Sequence, residues 1–329
     1  DAVVWYSKTK KLLRFRQIYM DKIAGGKGGT GYTRIRFEDG RVEPVSRHRN
    51  NQGETIIPDD GYLIFPDSIR SQSPGSRYFV SLNGTNYRPE PNYWKTDEQN
   101  MGRLKKADRL IATSRNMSYL RKYMDFPVYP ISNLWTDTVG QNQFGGDKTY
   151  VVQTGLKVVE RCILMTTDPG DIVLDPTCGS GTTAYVAEQW GRKWVTIDTS
   201  RVALALARTR LMSARYPYYV MRDTPEGRAA EMKLTGDLLP DAATHGELSQ
   251  GFVYERAPHI TLKSIANNAE IDVIWEGYEE KLAPLRAALT GALPSGWLAA
   301  YRAEQSYDVD VPDDIQEWEV PREVPREDG

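Results

Sequence analysis

The segment Leu174-Asp-Pro-Thr-Cys-Gly-Ser-Gly-Thr-Thr183 constrains this chain more than any other. An apolar run, Ile172-Val-Leu174, leads into a glycine turn, and a helical pattern starts at once from Thr182. A run of that kind predicts a strand in a sheet covered on both faces, as parallel sheets are. Gly179 and Gly181 have no Cβ, so a ligand can approach the backbone closely. The amides that open the helix lack intrahelical acceptors and attract an anionic group.

The flanking sequence alternates in the same way. Val158 to Met165 has helical spacing and is stopped by Asp168-Pro-Gly-Asp171. Thr182 to Trp190 predicts a helix ended by Gly191, and Trp194-Val-Thr-Ile197 a second strand. Ser200 to Met212 predicts a helix with Ser200 as its N-cap, and Tyr218-Tyr-Val-Met221 a third strand. Helices between parallel strands give an α/β fold with a doubly wound sheet. The expected strand order places 172–174 and 218–221 on either side of 194–197.

Ile197-Asp198 puts an acid at the carboxyl edge of a parallel strand, where it can accept hydrogen bonds from both ribose hydroxyls. The spacing from Gly181 to Asp198 also suits a dinucleotide, so spacing alone leaves the nucleoside cofactor open. The plainer alternative is that Asp198 caps the helix beginning near Ser200.

The letters are more specific. Asp175-Pro-Thr-Cys-Gly-Ser-Gly-Thr-Thr183 closely resembles the D-P-F-x-G-S-G-T-T motif of the DNA adenine-N6 and cytosine-N4 methyltransferases, with Thr177 where that family usually has Phe. The dehydrogenase pattern G-x-G-x-x-G is absent. Motif order resembles the β group, kin to the adenine methylases of restriction–modification systems. The resemblance implies a Rossmann-like methyltransferase sheet and S-adenosyl-L-methionine as cofactor. It places that cofactor on Asp175, Pro176, Thr177, Cys178, Gly179, Ser180, Gly181, Thr182, Thr183, Asp198 and Thr199. Gln153 and Thr154, in Val152-Gln-Thr-Gly-Leu156, stand where the family contacts the methionine end.

Other stretches resemble the same family more weakly. Asn92-Tyr-Trp-Lys95, Met101-Gly-Arg-Leu104, Ala107-Asp-Arg109 and Asn133-Leu-Trp-Thr-Asp137 resemble its target-recognition region, and Trp5-Tyr-Ser-Lys8 a strand closing the catalytic half. The resemblance implies four segments: 1–8 as that closing strand, 9–148 for recognition, 149–222 for the cofactor and 223–329 as a C-terminal extension with an acidic tail. No [DNS]-P-P-[YF] tetrapeptide occurs, so no catalytic residue is assigned. The expectation is a sequence truncated ahead of the cofactor and recognition half, inactive by itself. In the family the absent loop binds the exocyclic amine of a flipped base.

Charge adds a partner. The net charge of −2 conceals a basic start: residues 1–50 hold twelve Lys and Arg against five acids. Double-stranded DNA is the expected ligand, with Arg14, Arg16, Lys22, Arg103 and Arg109 as contacts within regions 10–49 and 84–122. A restriction or helicase subunit is a candidate partner. Two cysteines, Cys162 and Cys178, make no disulfide framework and suit a reducing cytoplasm, and three distant histidines give no metal-ligand spacing. No apolar run reaches the roughly 20 residues a membrane span needs.

The remaining expectations are local. Ala2–Tyr6 reads as one buried strand. Ala24-Gly-Gly-Lys-Gly-Gly-Thr-Gly31 fails the phosphate-loop pattern, because Gly28 follows Lys27, and reads as a flexible loop. Phe252–Tyr254 and Ile260–Leu262 read as strands, Glu279–Leu289 as a helix and Ile315–Gly329 as an extended tail. The leading function is adenine-N6 methylation of DNA. The rivals are cytosine-N4 methylation and a non-catalytic DNA-binding scaffold, with a small-molecule or RNA methyltransferase behind them.

Overall fold

A computed structural model describes residues 2–113, 116–138, 153–305, 307 and 309–320. The chain divides into two units, Asp1–Asp21 with Val128–Ala257 and Lys22–Pro127 with Pro258–Gly329. Both are discontinuous in sequence.

The first unit holds the glycine turn. Strands Ile172–Asp175 and Lys193–Thr196 pair in parallel, Ile172 opposite Lys193 and Asp175 opposite Thr196. The Thr182–Gln189 helix connects them, and Gly191 ends the turn after it with φ +69°, a left-handed conformation that glycine adopts without a Cβ clash. The Leu156–Thr166 helix packs on the same side, burying Ile163 against Val186 and Ala187, with Val173 and Trp194 of the strands beneath. The Arg201–Ser213 helix follows, capped by Ser200 Oγ accepting from Ala203 N.

Two expectations for this sheet fail. Residues 218–221 form no strand, since Met221 makes one antiparallel bridge with Phe252. Tyr219 instead stacks on Trp190, centroids 5.7 Å apart, and leans on Phe252. Lys193–Thr196 is therefore an edge of a two-stranded sheet rather than its centre. The second failure concerns coverage. Strand side chains alternate, and the helices take the Val173 and Trp194 face, so Ile172, Leu174, Val195 and Ile197 are half exposed or more. Among the described residues the architecture is a parallel pair with helices on one face, not a doubly wound sheet. Ala2–Tyr6 is also unpaired, with Val4 and Tyr6 exposed. A short antiparallel pair, Tyr19–Asp21 with Val128–Pro130, completes the strands.

The second unit centres on a five-stranded antiparallel sheet in the order Leu110–Ala112, Met117–Lys122, Gly61–Ser68, Arg34–Phe37, Val42–Pro44. One core gathers Tyr32, Ile35, Phe37, Val45 and Leu63. A second joins Ile69, Trp94, Met101, Leu104 and Tyr119 to Ile265 and Ala266 from the C-terminal region. The Glu98–Lys106 helix starts at Asp97, whose side chain accepts from Asn100 N, and turns Met101 and Leu104 inward. The loop expected at 24–31 is ordered into a small parallel pair, Ile23–Ala24 with Gly28–Gly29, because Gly29 is buried against Ile23.

The C-terminal region is more helical than its sequence suggests. Ile260–Leu262 is no strand: Thr261 caps a Leu262–Ala266 helix through Ser264 N. Phe252–Tyr254 contributes the single bridge at Phe252. The helix expected over 279–289 runs Glu270–Ala292, followed by Trp297–Gln305. Glu317–Glu319 form a 3-10 turn where an extended tail was expected. Ile315 is fully buried, and both Glu319 oxygens take Arg302 at 2.8 Å. Residues 321–329 lie outside the described residues.

Candidate functional site

The cofactor candidates converge at the carboxyl ends of the two parallel strands. Asp175 ends the first, and its Oδ1 accepts Thr177 N at 3.0 Å, which starts the turn past Pro176. Cys178 N donates to Ile197 O at 2.9 Å, clamping the turn to the second strand. Gly179 and Gly181 have φ of +51° and +75°. Gly181 is the helix N-cap and offers no side-chain acceptor to the first amides. A Cβ on Gly181 would sit 2.8 Å from Ala207 Cβ, so this glycine is required by helix packing as well as by its backbone angle.

Asp198 closes the arrangement. Its Oδ2 accepts Gly179 N at 2.9 Å and its Oδ1 accepts Ser200 N at 2.8 Å. These amide bonds, from Ser200 and Gly179, hold its carboxyl below the ordinary carboxylate range. Each oxygen keeps a further lone pair for an outside donor. The capping reading and the ligand reading of Asp198 are thus compatible. Thr199 is exposed beside it.

Cys178, Ser180 and Thr182 are buried, and Arg210 Nη1 donates to Ser180 O at 3.3 Å and Thr182 Oγ1 at 3.1 Å. Arg210 lies 4.7 Å from the Tyr185 ring, and burial lowers its pKa. Sequence reasoning missed it, since an arginine ten residues past Ser200 carries no local sign of reaching back to the turn. Thr154 and Thr183 come together on the wall of a cavity of about 380 Å³, floored by Val159, Cys162 and Val173. Gln153 is the residue before Thr154, two ahead of the Gly155 that caps the next helix.

The DNA-contact candidates have partners within the chain. Arg109 makes a buried two-pronged pair with Asp125, 2.7 and 2.9 Å. Arg103 Nε donates to Asp272 at 2.8 Å and Lys106 joins the same carboxylate, fastening the Glu98–Lys106 helix to the Glu270–Ala292 helix. Lys22 Nζ donates to Phe126 O and lies 5.1 Å from the Tyr32 ring, where burial lowers its pKa. Arg14 and Arg16 both pair with Asp168, Arg14 at 2.7 Å.

Among the described residues no group of three or more His, Cys, Asp and Glu side chains could hold a metal ion, and no helix is long and apolar enough to cross a membrane.

The sequence profile described as DNA methylase, for N6/N4 methyltransferases, matches residues 1–209, more than half of the chain. The type II methyltransferase M2.LlaDCHI of Lactococcus lactis subsp. cremoris is 25% identical over 152 residues, 45% of this chain and 56% of that protein. M2.DpnII of Streptococcus pneumoniae is 26% identical over 163 residues, 48% and 60% of the two chains. The chain thus spans little more than half the length of these relatives. A crystal structure of the M1.HpyAVI–SAM complex is 34% identical over 20% of this chain and 32% of that one, with a TM-score of 0.19.

Proposed function

This chain belongs to the N6/N4 DNA methylase family, and from that premise we propose that it binds S-adenosyl-L-methionine at the 175–183 turn and serves methylation of adenine N6 in DNA. The observation that carries the reading is the tie between Asp198 and the glycine turn at the ends of two parallel strands. An acid and an uncapped helix start at one sheet edge suit the two ends of an amino-acid nucleoside.

The donor set fits the cofactor. The amino-terminal amides of the Thr182–Gln189 helix hold the methionine carboxylate, and Asp198 accepts from the ribose hydroxyls. Thr154 and Thr183 line the adjoining cavity and orient the methionine end. When bound, the cofactor supplies an electrophilic methyl group on a sulfonium. Arg210 acts from behind, fixing Ser180 and Thr182 so that the turn is in place before binding.

No residue described here is assigned to the chemical step, because the sequence contains no [DNS]-P-P-[YF] tetrapeptide. Adenine rather than cytosine is favoured by the likeness of 92–109 and 133–137 to the recognition regions of adenine methylases. Photolabelling with radioactive S-adenosylmethionine tests the site. The label should map to peptides within 172–199 and be competed by S-adenosylhomocysteine but not by NAD. Labelling elsewhere, or competition by NAD, overturns the proposal.

A further inference from the structure

Residues 68–95 concentrate an arrangement that the cofactor site does not use. Arg88 lies 3.9 Å from the Phe79 ring, Arg77 4.2 Å from Tyr93 and Arg70 5.8 Å from Trp94. A cation held against a ring face is attracted by the ring's quadrupole, and segment 70–95 holds three such pairs. Lys95 adds a fourth cation, and Glu90 is the one acid in the segment. Their hydrogen bonds go to carbonyls: Arg70 to Arg88 O at 3.0 Å, Arg77 to Pro91 O at 2.9 Å, Lys95 to Ser68 O at 2.6 Å. Carbonyl contacts leave the positive charge uncompensated, unlike the carboxylate pairs of Arg14, Arg103 and Arg109.

The platform beneath is firm. Trp94 is buried in the core with Val80 and Tyr87, and its Nε1 donates to Tyr78 O at 2.9 Å. Its strand, Tyr93–Trp94, pairs with Arg70–Ser71, so the backbone under Arg70 is fixed by the sheet. Arg77, Arg88 and Lys95 are exposed above it. A guanidinium resting on a ring is weakly hydrated and held in plane, with N–H groups at its rim available to an oxyanion. Surface charge with that preorganisation suits a phosphodiester chain better than a single small anion.

We propose that Arg70, Arg77, Arg88 and Lys95 form a phosphate-contacting surface for duplex DNA. The proposal rests on the DNA methylase reading and names where the backbone of that substrate is gripped. Arg77 and Arg88 are the accessible contacts, while Arg70 also supports the carbonyl of Arg88.

The test is fluorescence anisotropy of a short labelled duplex with the whole chain across a salt series. R77Q/R88Q should lower the slope of log K against log salt by about 1.8, two contacts at ~0.9 each, a loss of tens-fold in affinity near 0.1 M. R77K/R88K, which keeps the charge, should retain most of the slope. If the double variant melts early, R88Q alone carries the test with half the change, since Arg88 sits at the surface on Phe79. An unchanged slope in the glutamine variants overturns the proposal, and so does tighter binding of single-stranded than of duplex DNA. A wild type that binds S-adenosylmethionine but no duplex sinks this inference and spares the cofactor reading. One that binds neither sinks both.

Discussion

Arg161 and Asp137 form a two-pronged ion pair, 2.9 and 2.7 Å, that fastens the end of the 133–138 segment to the Leu156–Thr166 helix. Arg161 is buried and lies 5.2 Å from the Trp135 ring. Its hydrogen bonds to Asp137 bring the carboxyl from an ordinary 3.8 down to about 2. A carboxyl held low in the folded state contributes stability that is complete above its unfolded value and is lost as pH falls through its folded value. Asp137→Asn should therefore cost about 1–2 kcal/mol at pH 7, allowing for partial exposure. In urea melts the gap from wild type should close between pH 4 and 2. A gap that persists at pH 2 would show that the pair's charge is not its source.

Arg109 distinguishes two readings of the same residue. As a DNA contact, its loss would weaken binding and spare the fold. Buried against Asp125, which also accepts Lys122 N at 2.7 Å, it should instead act on stability. Arg109→Ala strands a buried carboxylate and should destabilise by about 3–5 kcal/mol. Denaturation monitored by circular dichroism decides: an unchanged midpoint with weakened DNA binding would restore the contact role.

What was legible in the sequence was local. Ser200 as N-cap, Gly191 after its helix and the strand–turn–helix around Gly181 each depend on neighbours within a few residues, and the structure has all of them. Relationships over distance were not legible. Lys22 meets Phe126, Arg103 meets Asp272 and Arg210 meets Ser180, and nothing in the sequence near any of these announces its partner. Tyr218–Met221 has strand composition, but ring stacking of Tyr219 on Trp190 took it out of the ladder. The antiparallel sheet escaped because several of its strands are three or four residues long, too short to establish a period of two.

Gly181 makes a steric prediction. Gly181→Ala places a Cβ 2.8 Å from that of Ala207 on a backbone with φ +75°. Strain of ~1–3 kcal/mol from the backbone alone should add to the clash. Ala207→Gly in the same chain should recover the clash component and not the backbone component. Thermal melts of the single and double variants check this. A double variant no more stable than Gly181→Ala would mean that Ala207 is not the obstacle.

Calorimetric titration with S-adenosylmethionine is the sharpest measurement of whether Asp198 and the Gly179–Gly181 turn bind that cofactor. Asp198 already accepts Gly179 N and Ser200 N, so its removal takes away the ribose acceptor and loosens the turn together. Loss of two charge-assisted bonds at roughly 2–4 kcal/mol in total corresponds to about 30- to 1000-fold in Kd. That assignment requires one site for S-adenosylmethionine in the wild type and weakening in that range for Asp198→Ala, with circular dichroism showing the fold retained. Binding as tight in Asp198→Ala as in the wild type, or wild-type binding of a nicotinamide dinucleotide instead, would contradict it.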